Sequence, residues 1–144
     1  MKTTLASCKN CHAVNRIQVE KTSSAVCGKC QSSIPFHGLV SEATAADFQK
    51  IIKASDKPVI VDFWASWCGP CKSYGPEFEK ASLLNTDAIF LKINTESEQT
   101  LSSGLGIRGI PCTLIFKDGR EIKRQAGAMD SLGVSQFLGS LKGE

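Results

Sequence analysis

Six of the seven cysteines in this 144-residue chain form three Cys-x2-Cys pairs, and their spacing limits the possible folds more than any other feature. Fifteen residues separate the first two pairs, a spacing typical of zinc sites built from two short metal-binding loops. Four thiolates complete a tetrahedral shell around zinc and leave no open position for catalysis. The sequence therefore predicts a structural zinc site with these ligands: Cys8, Cys11, Cys27 and Cys30.

The segment that carries these four cysteines, residues 1–31, is too small to fold by burying apolar side chains alone. Apolar residues within 14–19 predict one short strand, Gly28 suits the tight backbone of the second loop, and zinc would supply the missing stability. His12 directly follows Cys11 and is an alternative ligand, although four well-spaced cysteines favour its being a bystander. Three roles stay open for this zinc-ribbon module: a passive stabiliser, a docking surface, or an oxidation sensor that releases zinc.

A change in composition divides the chain into two zones. Residues 32–37 contain two serines and a proline, which predict an irregular linker. Residues 38–144 alternate apolar runs with amphipathic segments and have the length of one ordinary domain. The sequence thus predicts a small metal module, a linker and one larger domain.

The larger zone has the pattern of an α/β fold. A helix is predicted to start after Ser41 or Thr44 and to end near Ser55, and Pro58 then precedes a β-branched and aromatic run over 59–64 that predicts a strand buried on both faces. Further predicted elements are a helix over 68–84 kinked at Pro76, a strand over 88–93, a short helix over 96–105, strands over 113–117 and 121–125 around an Asp118-Gly119 turn, and a helix over 131–141. This order predicts a mixed β-sheet covered by helices.

The third cysteine pair, Cys68 and Cys71, lies between the predicted buried strand and the helix that follows it. At a helix N-terminus, unpaired backbone N–H groups and the helix dipole stabilise an anion, which lowers the pKa of the Cys68 thiol. Pro70 is compatible with the first turn because its missing N–H would have no partner there. The pair would exchange disulfides, with Cys68 attacking a substrate disulfide and Cys71 resolving the mixed disulfide. From the cysteines alone, half of a second metal site is an alternative.

The residues around this pair decide between the two interpretations. The string WCGPCK over 67–72, preceded by VDFWA over 61–65, resembles the active-site segment of the thioredoxin family. The resemblance covers residues 39–141, and with the zinc ribbon the whole chain is similar to the bacterial thioredoxin 2 group. It implies a thioredoxin fold and a protein-disulfide reductase that binds no organic cofactor. It also implies that an NADPH-dependent thioredoxin reductase recharges the protein.

The resemblance assigns roles to residues outside the pair. Asp62 lies in an apolar strand, so burial should raise its pKa, and the resemblance implies that it assists deprotonation of Cys71, with Lys92 nearby. Pro111 matches a family proline that follows a cis bond and faces the disulfide, although most X–Pro bonds are trans. The family's substrate-contact surface is matched by Trp67, Gly69, Pro70, Ile110, Gly127 and Ala128. Without the resemblance, a hydrogen-bonded structural aspartate, a solvated lysine and core packing of the apolar residues are the alternatives.

The seventh cysteine, Cys112, departs from the family pattern, in which threonine usually follows the proline. Free cysteine often behaves as a small hydrophobic residue, so one interpretation is a buried, inert thiol. The other places Cys112 close to the catalytic sulfurs, where an alternative disulfide or an oxidised thiol would tune activity.

Composition and segment lengths argue against several other classes of protein. The longest apolar runs are only a few residues, whereas a membrane span needs about 20, and the N-terminus lacks the apolar stretch of a secretory signal. Seven cysteines without an export signal indicate the cytoplasm, where thiols stay reduced. Nucleic acid is not an expected partner, because the basic residues of the zinc-ribbon module have no aromatic residues between them. The alternative functional class is a zinc-ribbon adaptor or holdase whose larger domain mainly grips client proteins or nucleic acid.

Overall fold

The chain forms a two-stranded ribbon followed by a five-stranded mixed sheet in a computed structural model, which describes residues 2–139. The ribbon comprises β1 (Thr3–Ser7) and β2 (Val14–Gln18), and a 3-10 helix over Val19–Ser24 follows it. The remaining elements are β3 (Val40–Glu42), α1 (Ala45–Ala54), β4 (Val59–Trp64), α2 (Gly69–Leu84), β5 (Ile89–Asn94), α3 (Gln99–Gly104), β6 (Cys112–Lys117), β7 (Arg120–Ala126) and α4 (Ser131–Gly139). Residue 1 of the predicted module and residues 140–144 of the predicted domain, including the end of the last predicted helix, lie outside the described residues.

The larger sheet has the strand order β3-β5-β4-β6-β7, with β3, β5 and β4 parallel and the last two strands antiparallel. The central strand β4 pairs on both sides, so Asp62 lies opposite Lys92 of β5 and opposite Thr113 of β6. A two-residue turn joins the last two strands, and both of its residues, Asp118 and Gly119, have positive φ. The predicted mixed sheet with flanking helices is confirmed.

Each face of this sheet is covered by helices that bury a separate apolar cluster. On one face, α1 contributes Phe48 and Ile51, and the ring of Phe48 packs edge-on against Phe116 at 4.9 Å. On the other face, α2 contributes Phe78, and α4 contributes Phe137. Full burial of one such side chain stabilises the fold by about 1.5–3 kcal/mol, so the two clusters fix both helical layers on the sheet.

Several element boundaries differ from those predicted. Thr44 is the N-cap of α1, because its hydroxyl accepts a hydrogen bond from the Asp47 N–H at 3.2 Å, whereas Ser41 lies within β3. Strands β1 and β3 have no counterpart in the prediction, since three of the five residues of β1 are polar and β3 is only three residues long. Val19 begins the 3-10 helix instead of extending β2, and α3 covers only part of the predicted 96–105 helix.

The zinc-ribbon module packs directly against the larger sheet. Leu5 of β1 is only 4% exposed and lies in the same apolar cluster as Phe48 and Ile51 of α1. Lys57 donates a hydrogen bond from Nζ to the Thr3 carbonyl at 2.7 Å. Polar pairs across the same boundary include Lys2–Asp87, Lys9–Glu42 and His12–Asp47. The ribbon therefore shares part of its core with the domain that follows it.

Within residues 2–139, none of the helices combines the length and the apolar character needed to cross a bilayer.

Candidate active site and metal centre

The Cys68–Cys71 pair lies at the N-terminus of α2 and forms a disulfide whose Cα atoms are 5.3 Å apart. Cys68 is the N-cap residue, and its Sγ accepts a hydrogen bond from the Cys71 N–H at 3.2 Å. Pro70 lies in the first turn of α2, where backbone N–H groups have no partner within the helix. The missing N–H of proline therefore costs no hydrogen bond there. Both cysteines are buried, whereas the neighbouring Trp67 is 71% exposed. The Cys68 sulfur thus lies at the positive end of the helix dipole, which favours its thiolate.

The loop before β6 faces this disulfide. The Ile110–Pro111 peptide bond is cis, as the family resemblance implies, and the Ile110 carbonyl oxygen lies 3.7 Å from the Cys68 Sγ. Gly127 donates its N–H to the Pro111 carbonyl at 2.8 Å, which ties the end of β7 to the same loop. The structure therefore gathers Trp67, Gly69, Pro70, Ile110 and Pro111 around the cysteines, and it connects Gly127 and the exposed Ala128 through Pro111.

Asp62 is a carboxylic acid buried in the centre of β4, with only 1% of its surface exposed. Desolvation raises its pKa from the ordinary 3.8 to about 7, and the positive charge of Lys92 partly opposes this rise. Its Oδ1 atom has no hydrogen-bond partner within the described part of the chain. The Lys92 ammonium lies over the ring of Trp64, 4.5 Å from its centroid. Asp62 can therefore hold or release a proton near neutral pH.

The raised pKa of Asp62 makes the stability of the protein depend on pH. The folded state keeps this proton up to about pH 7, whereas the unfolded chain releases it near 3.8, so the free energy of unfolding falls as pH rises through that window. We expect the Asp62→Asn variant to be more stable than the wild type at pH 8, by up to about 4 kcal/mol, and to differ little at pH 4. Denaturant unfolding of the oxidised proteins at both pH values measures this difference.

Asp56→Asn, which alters an exposed carboxyl group in the loop after α1, is the matched control for this experiment. We expect it to follow the wild-type pH dependence. A decline in stability that persisted unchanged in the Asp62→Asn variant would show that other groups cause it.

Two further interactions brace the site and were not predicted from the sequence. Glu96 accepts hydrogen bonds at Oε1 from the Ser66 N–H at 2.7 Å and from the Ser66 hydroxyl at 2.6 Å, which holds the loop before Cys68. Tyr74 of α2 hydrogen-bonds through its hydroxyl to the Thr113 hydroxyl at 2.8 Å, and burial raises the pKa of Tyr74. Neither contact has a local sequence signal, since each joins residues about thirty or more positions apart.

Cys112 lies on the face of the sheet covered by α1. It belongs to the apolar cluster that contains Phe63 and Leu114, whereas Cys68 and Cys71 belong to a separate cluster. Burial raises the pKa of Cys112, which keeps the thiol protonated. These contacts support the interpretation of Cys112 as a buried, inert thiol.

The four cysteines of the zinc-ribbon module converge on one point. Their sulfur atoms all lie within 4.8 Å of one another, and the Cys8–Cys30 and Cys11–Cys27 pairs are each separated by 3.6 Å. A tetrahedral zinc ion with Zn–S bonds of about 2.3 Å requires sulfurs about 3.8 Å apart. Hydrogen bonds, the largest effect coming from Ser32, lower the pKa of Cys30 to about 5, and hydrogen bonds also lower the pKa of Cys27. The backbone of Ala13 lowers the pKa of Cys11, but burial and the three neighbouring thiols together raise it to about 11. The residues therefore fit a closed four-sulfur zinc site.

The two loops that carry these cysteines have matching backbones. In each loop, the N–H two residues after the first cysteine donates to that cysteine's sulfur at 3.4 Å. The residue after the second cysteine, His12 or Gln31, adopts a left-handed conformation, with φ of 63° and 67°. Gly28, expected to supply the tight backbone, has no such φ and instead donates its N–H to Asn15 Oδ1 at 2.9 Å. The His12 ring contacts Asp47 at 3.1 Å and lies outside the sulfur cluster, consistent with a bystander.

The fold and the paired cysteines at the start of α2 define a thiol–disulfide oxidoreductase. Comparison with known proteins gives the family: residues 39–140 match the family model described as Thioredoxin. The chain belongs to the thioredoxin family.

Individual relatives agree with this assignment. Thioredoxin C-3 of Corynebacterium nephridii is 36% identical over 133 residues, which cover 91% of this chain and 90% of that protein. This match is longer than the region of the family model, so it extends into the N-terminal four-cysteine segment. Thioredoxin of Chlorobaculum thiosulfatiphilum is 44% identical over 93 residues, covering 64% of this chain and 86% of that protein. The short form of spinach chloroplast thioredoxin F superposes with a TM-score of 0.65 at 35% identity, over 74% of this chain and 93% of that chain.

Proposed function

We propose that this protein reduces protein disulfides, with Cys68 as the attacking thiolate and Cys71 as the resolving thiol. Its thioredoxin relatives support the coarser statement of protein-disulfide reduction by dithiol–disulfide exchange. The observation that carries the assignment of the two thiols is the position of Cys68 as the N-cap of α2, with Sγ accepting the Cys71 N–H at 3.2 Å. A sulfur in this position is favoured as a thiolate and is therefore the better nucleophile.

The reaction transfers two electrons from the protein to its substrate. The Cys68 thiolate attacks one sulfur of the substrate disulfide, which forms a mixed disulfide and releases the other substrate sulfur as a thiolate. Cys71 then loses its proton and attacks the Cys68 sulfur, which releases the second substrate thiolate and forms the Cys68–Cys71 disulfide. The substrate gains two thiols after protonation, and the protein is left oxidised.

Asp62 is proposed to accept the proton that Cys71 loses in the second step. A pKa raised to about 7 suits a base that works near neutral pH, because the carboxylate is populated and still basic enough to take a proton. Lys92 lies opposite Asp62 in the sheet register, and its positive charge keeps the carboxylate form accessible.

Substrates are proposed to bind over the exposed surface around the disulfide. The Ile110 carbonyl oxygen lies beside Cys68, so an extended substrate segment would pair with this backbone. The proposed contact residues are Trp67, Gly69, Pro70, Ile110, Gly127 and Ala128, with Pro111 shaping the loop.

The oxidised protein needs a reductant to act again. Thioredoxins are recharged by a thioredoxin reductase. We propose that the reductase of this protein draws on NADPH and that both work in the cytoplasm, where the five cysteines outside the disulfide would stay reduced.

We propose that Cys8, Cys11, Cys27 and Cys30 hold one zinc ion with a structural role. A closed shell of four thiolates supplies cross-links between the two loops and has no site for substrate. The proposed division of the chain is a zinc-ribbon module over 1–31, a linker over 32–37 and a thioredoxin domain over 38–144.

Trapping the mixed disulfide tests the assignment of the two thiols. In the Cys71→Ser variant the second step is blocked, so we expect a stable disulfide between Cys68 and a substrate such as insulin. Mass spectrometry of the peptides from the trapped complex identifies the protein cysteine that carries the substrate.

The Cys68→Ser/Cys71→Ser double variant is the control and should form no such complex. A complex bridged through Cys112, or through a cysteine of the zinc-ribbon module, would contradict the assignment.

A further inference from the structure

A line of charged side chains with alternating sign runs from the zinc-ribbon module to the buried Asp62. Lys9, between two of the metal-site cysteines, pairs through Nζ with Oε2 of Glu42 at the end of β3. Glu42 lies opposite Lys92 in the β3–β5 register, and Lys92 lies opposite Asp62 in the β5–β4 register. Residues opposite each other on neighbouring strands place their side chains on the same face of a sheet. The last three residues of the line therefore share one face.

The outer members of this line meet in one cavity. Lys9, Glu42 and Lys92 all line a cavity of about 330 Å³ between the zinc-ribbon module and the edge of the larger sheet. The pKa of Glu42 is lowered mainly by the hydrogen bond from Lys9 and also by the charge of Lys92, so both ammonium groups act on this one carboxylate. If Lys9 were absent, the charge of Lys92 and, to a smaller extent, that of His37 would still act on Glu42.

We propose that Lys9 is a positioning residue for the thiol–disulfide reaction, because its pairing with Glu42 leaves Lys92 available to stabilise the Asp62 carboxylate. This inference rests on the proposed role of Asp62 as the base for Cys71. The zinc-ribbon module, beyond holding metal, thereby adjusts the proton acceptor of the active site through one side chain.

Other charged or titratable groups also face these four side chains, and their charges affect the same carboxylates. Asp62 faces Lys92 from β5 and Tyr74 from α2, and its charge also reaches Cys112 of β6. The remaining ionisable groups around the cavity that Lys92 lines are His12, Asp47 and Glu98. A substitution at Lys9 leaves all of these groups in place, so a change in the behaviour of Asp62 reports the Lys9–Glu42 pair.

Four variants test the proposal: Lys9→Gln, Glu42→Gln, the double variant and Lys9→Arg. The readout is the apparent pKa in the pH profile of the rate at which the reduced protein reduces insulin. We expect Lys9→Gln to raise this apparent pKa by about 0.3–0.5, a small shift because solvent screens a partly exposed ion pair. Glu42→Gln should lower the apparent pKa by a similar amount. The double variant and Lys9→Arg should each have an apparent pKa close to that of the wild type.

Two controls separate the failure of this proposal from other failures. Lys2→Gln removes a different ion pair between the zinc-ribbon module and the larger sheet, Lys2–Asp87, and should leave the profile unchanged. An equal shift in Lys2→Gln would attribute the effect to general loosening and overturn the proposal. Asp62→Asn should abolish the titration itself, and its persistence there would refute the proposed role of Asp62. Loss of the titration in Asp62→Asn, together with unshifted profiles in Lys9→Gln and Glu42→Gln, would overturn only the role of Lys9.

Discussion

Replacing Cys68 with serine is expected to lower the rate of insulin reduction by on the order of 10³-fold or more. A serine hydroxyl keeps its proton at neutral pH, so the N–H groups at the start of α2 have no thiolate to stabilise. We do not expect Cys71 to substitute for Cys68, because Cys68 is the N-cap residue whose sulfur accepts a backbone N–H, whereas Cys71 lies within the helix. The measurement is kcat/KM for insulin reduction with a chemical dithiol as the recharging agent.

Cys112→Ser is the matched control, since it also removes one sulfur but on the face of the sheet covered by α1. We expect it to keep nearly the wild-type rate. Equal activity of the Cys68→Ser variant and the wild type would refute the assignment of Cys68 as nucleophile. A loss in Cys112→Ser as large as that in Cys68→Ser would show that Cys112 takes part in the reaction.

The second large effect is expected at the proposed zinc site. Cys27→Ser removes one of the four sulfurs that converge at the centre of the zinc-ribbon module, and we expect zinc to fall from one ion per chain to a small fraction. Metal binding contributes about 10–16 kcal/mol to the folding of small four-ligand domains. The apolar cluster around the site is small: Ala6, Cys8, Ile17, Cys27 and Ile34. It cannot replace that contribution, so the ribbon should lose its structure.

Zinc content by elemental analysis and amide hydrogen exchange over β1 and β2 measure the two parts of this expectation. His12→Ala is the control, because the His12 ring contacts Asp47 and not the sulfur cluster. It should retain one zinc ion per chain. Full protection of both strands in a zinc-free Cys27→Ser protein would contradict a structural role for the metal.

The parts of the structure that could be predicted from the sequence depend on local patterns. The apolar run of β4, the proline in the first turn of α2 and the Asp118-Gly119 turn each carry their signal within a few residues. The spacing of the metal-site cysteines is equally local. Burial of Asp62 followed from its apolar neighbours in the same strand, and the structure places it in the centre of the sheet.

The parts that could not be predicted depend on contacts between distant segments. Strand β3 is three residues long and is specified by its pairing with β5, about fifty positions away. The hydrogen bonds from Ser66 to Glu96 join two loops, and neither loop has a pattern that marks the other. The left-handed backbone at His12 and Gln31 is imposed by the geometry of the cysteine loops and not by the residue types, since glycine would be the usual choice.

The burial of Leu5 bears on attempts to obtain a smaller oxidoreductase from this chain. A protein that began at the linker would retain every reactive group, yet it would lack the leucine that fills the space against Phe48 and Ile51. Loss of one buried leucine side chain commonly destabilises a protein by about 2–5 kcal/mol, a large part of the total stability of a small domain. An engineered minimal version would therefore need a larger side chain on α1, or a grafted apolar residue, to cover the apolar surface that the loss of Leu5 exposes.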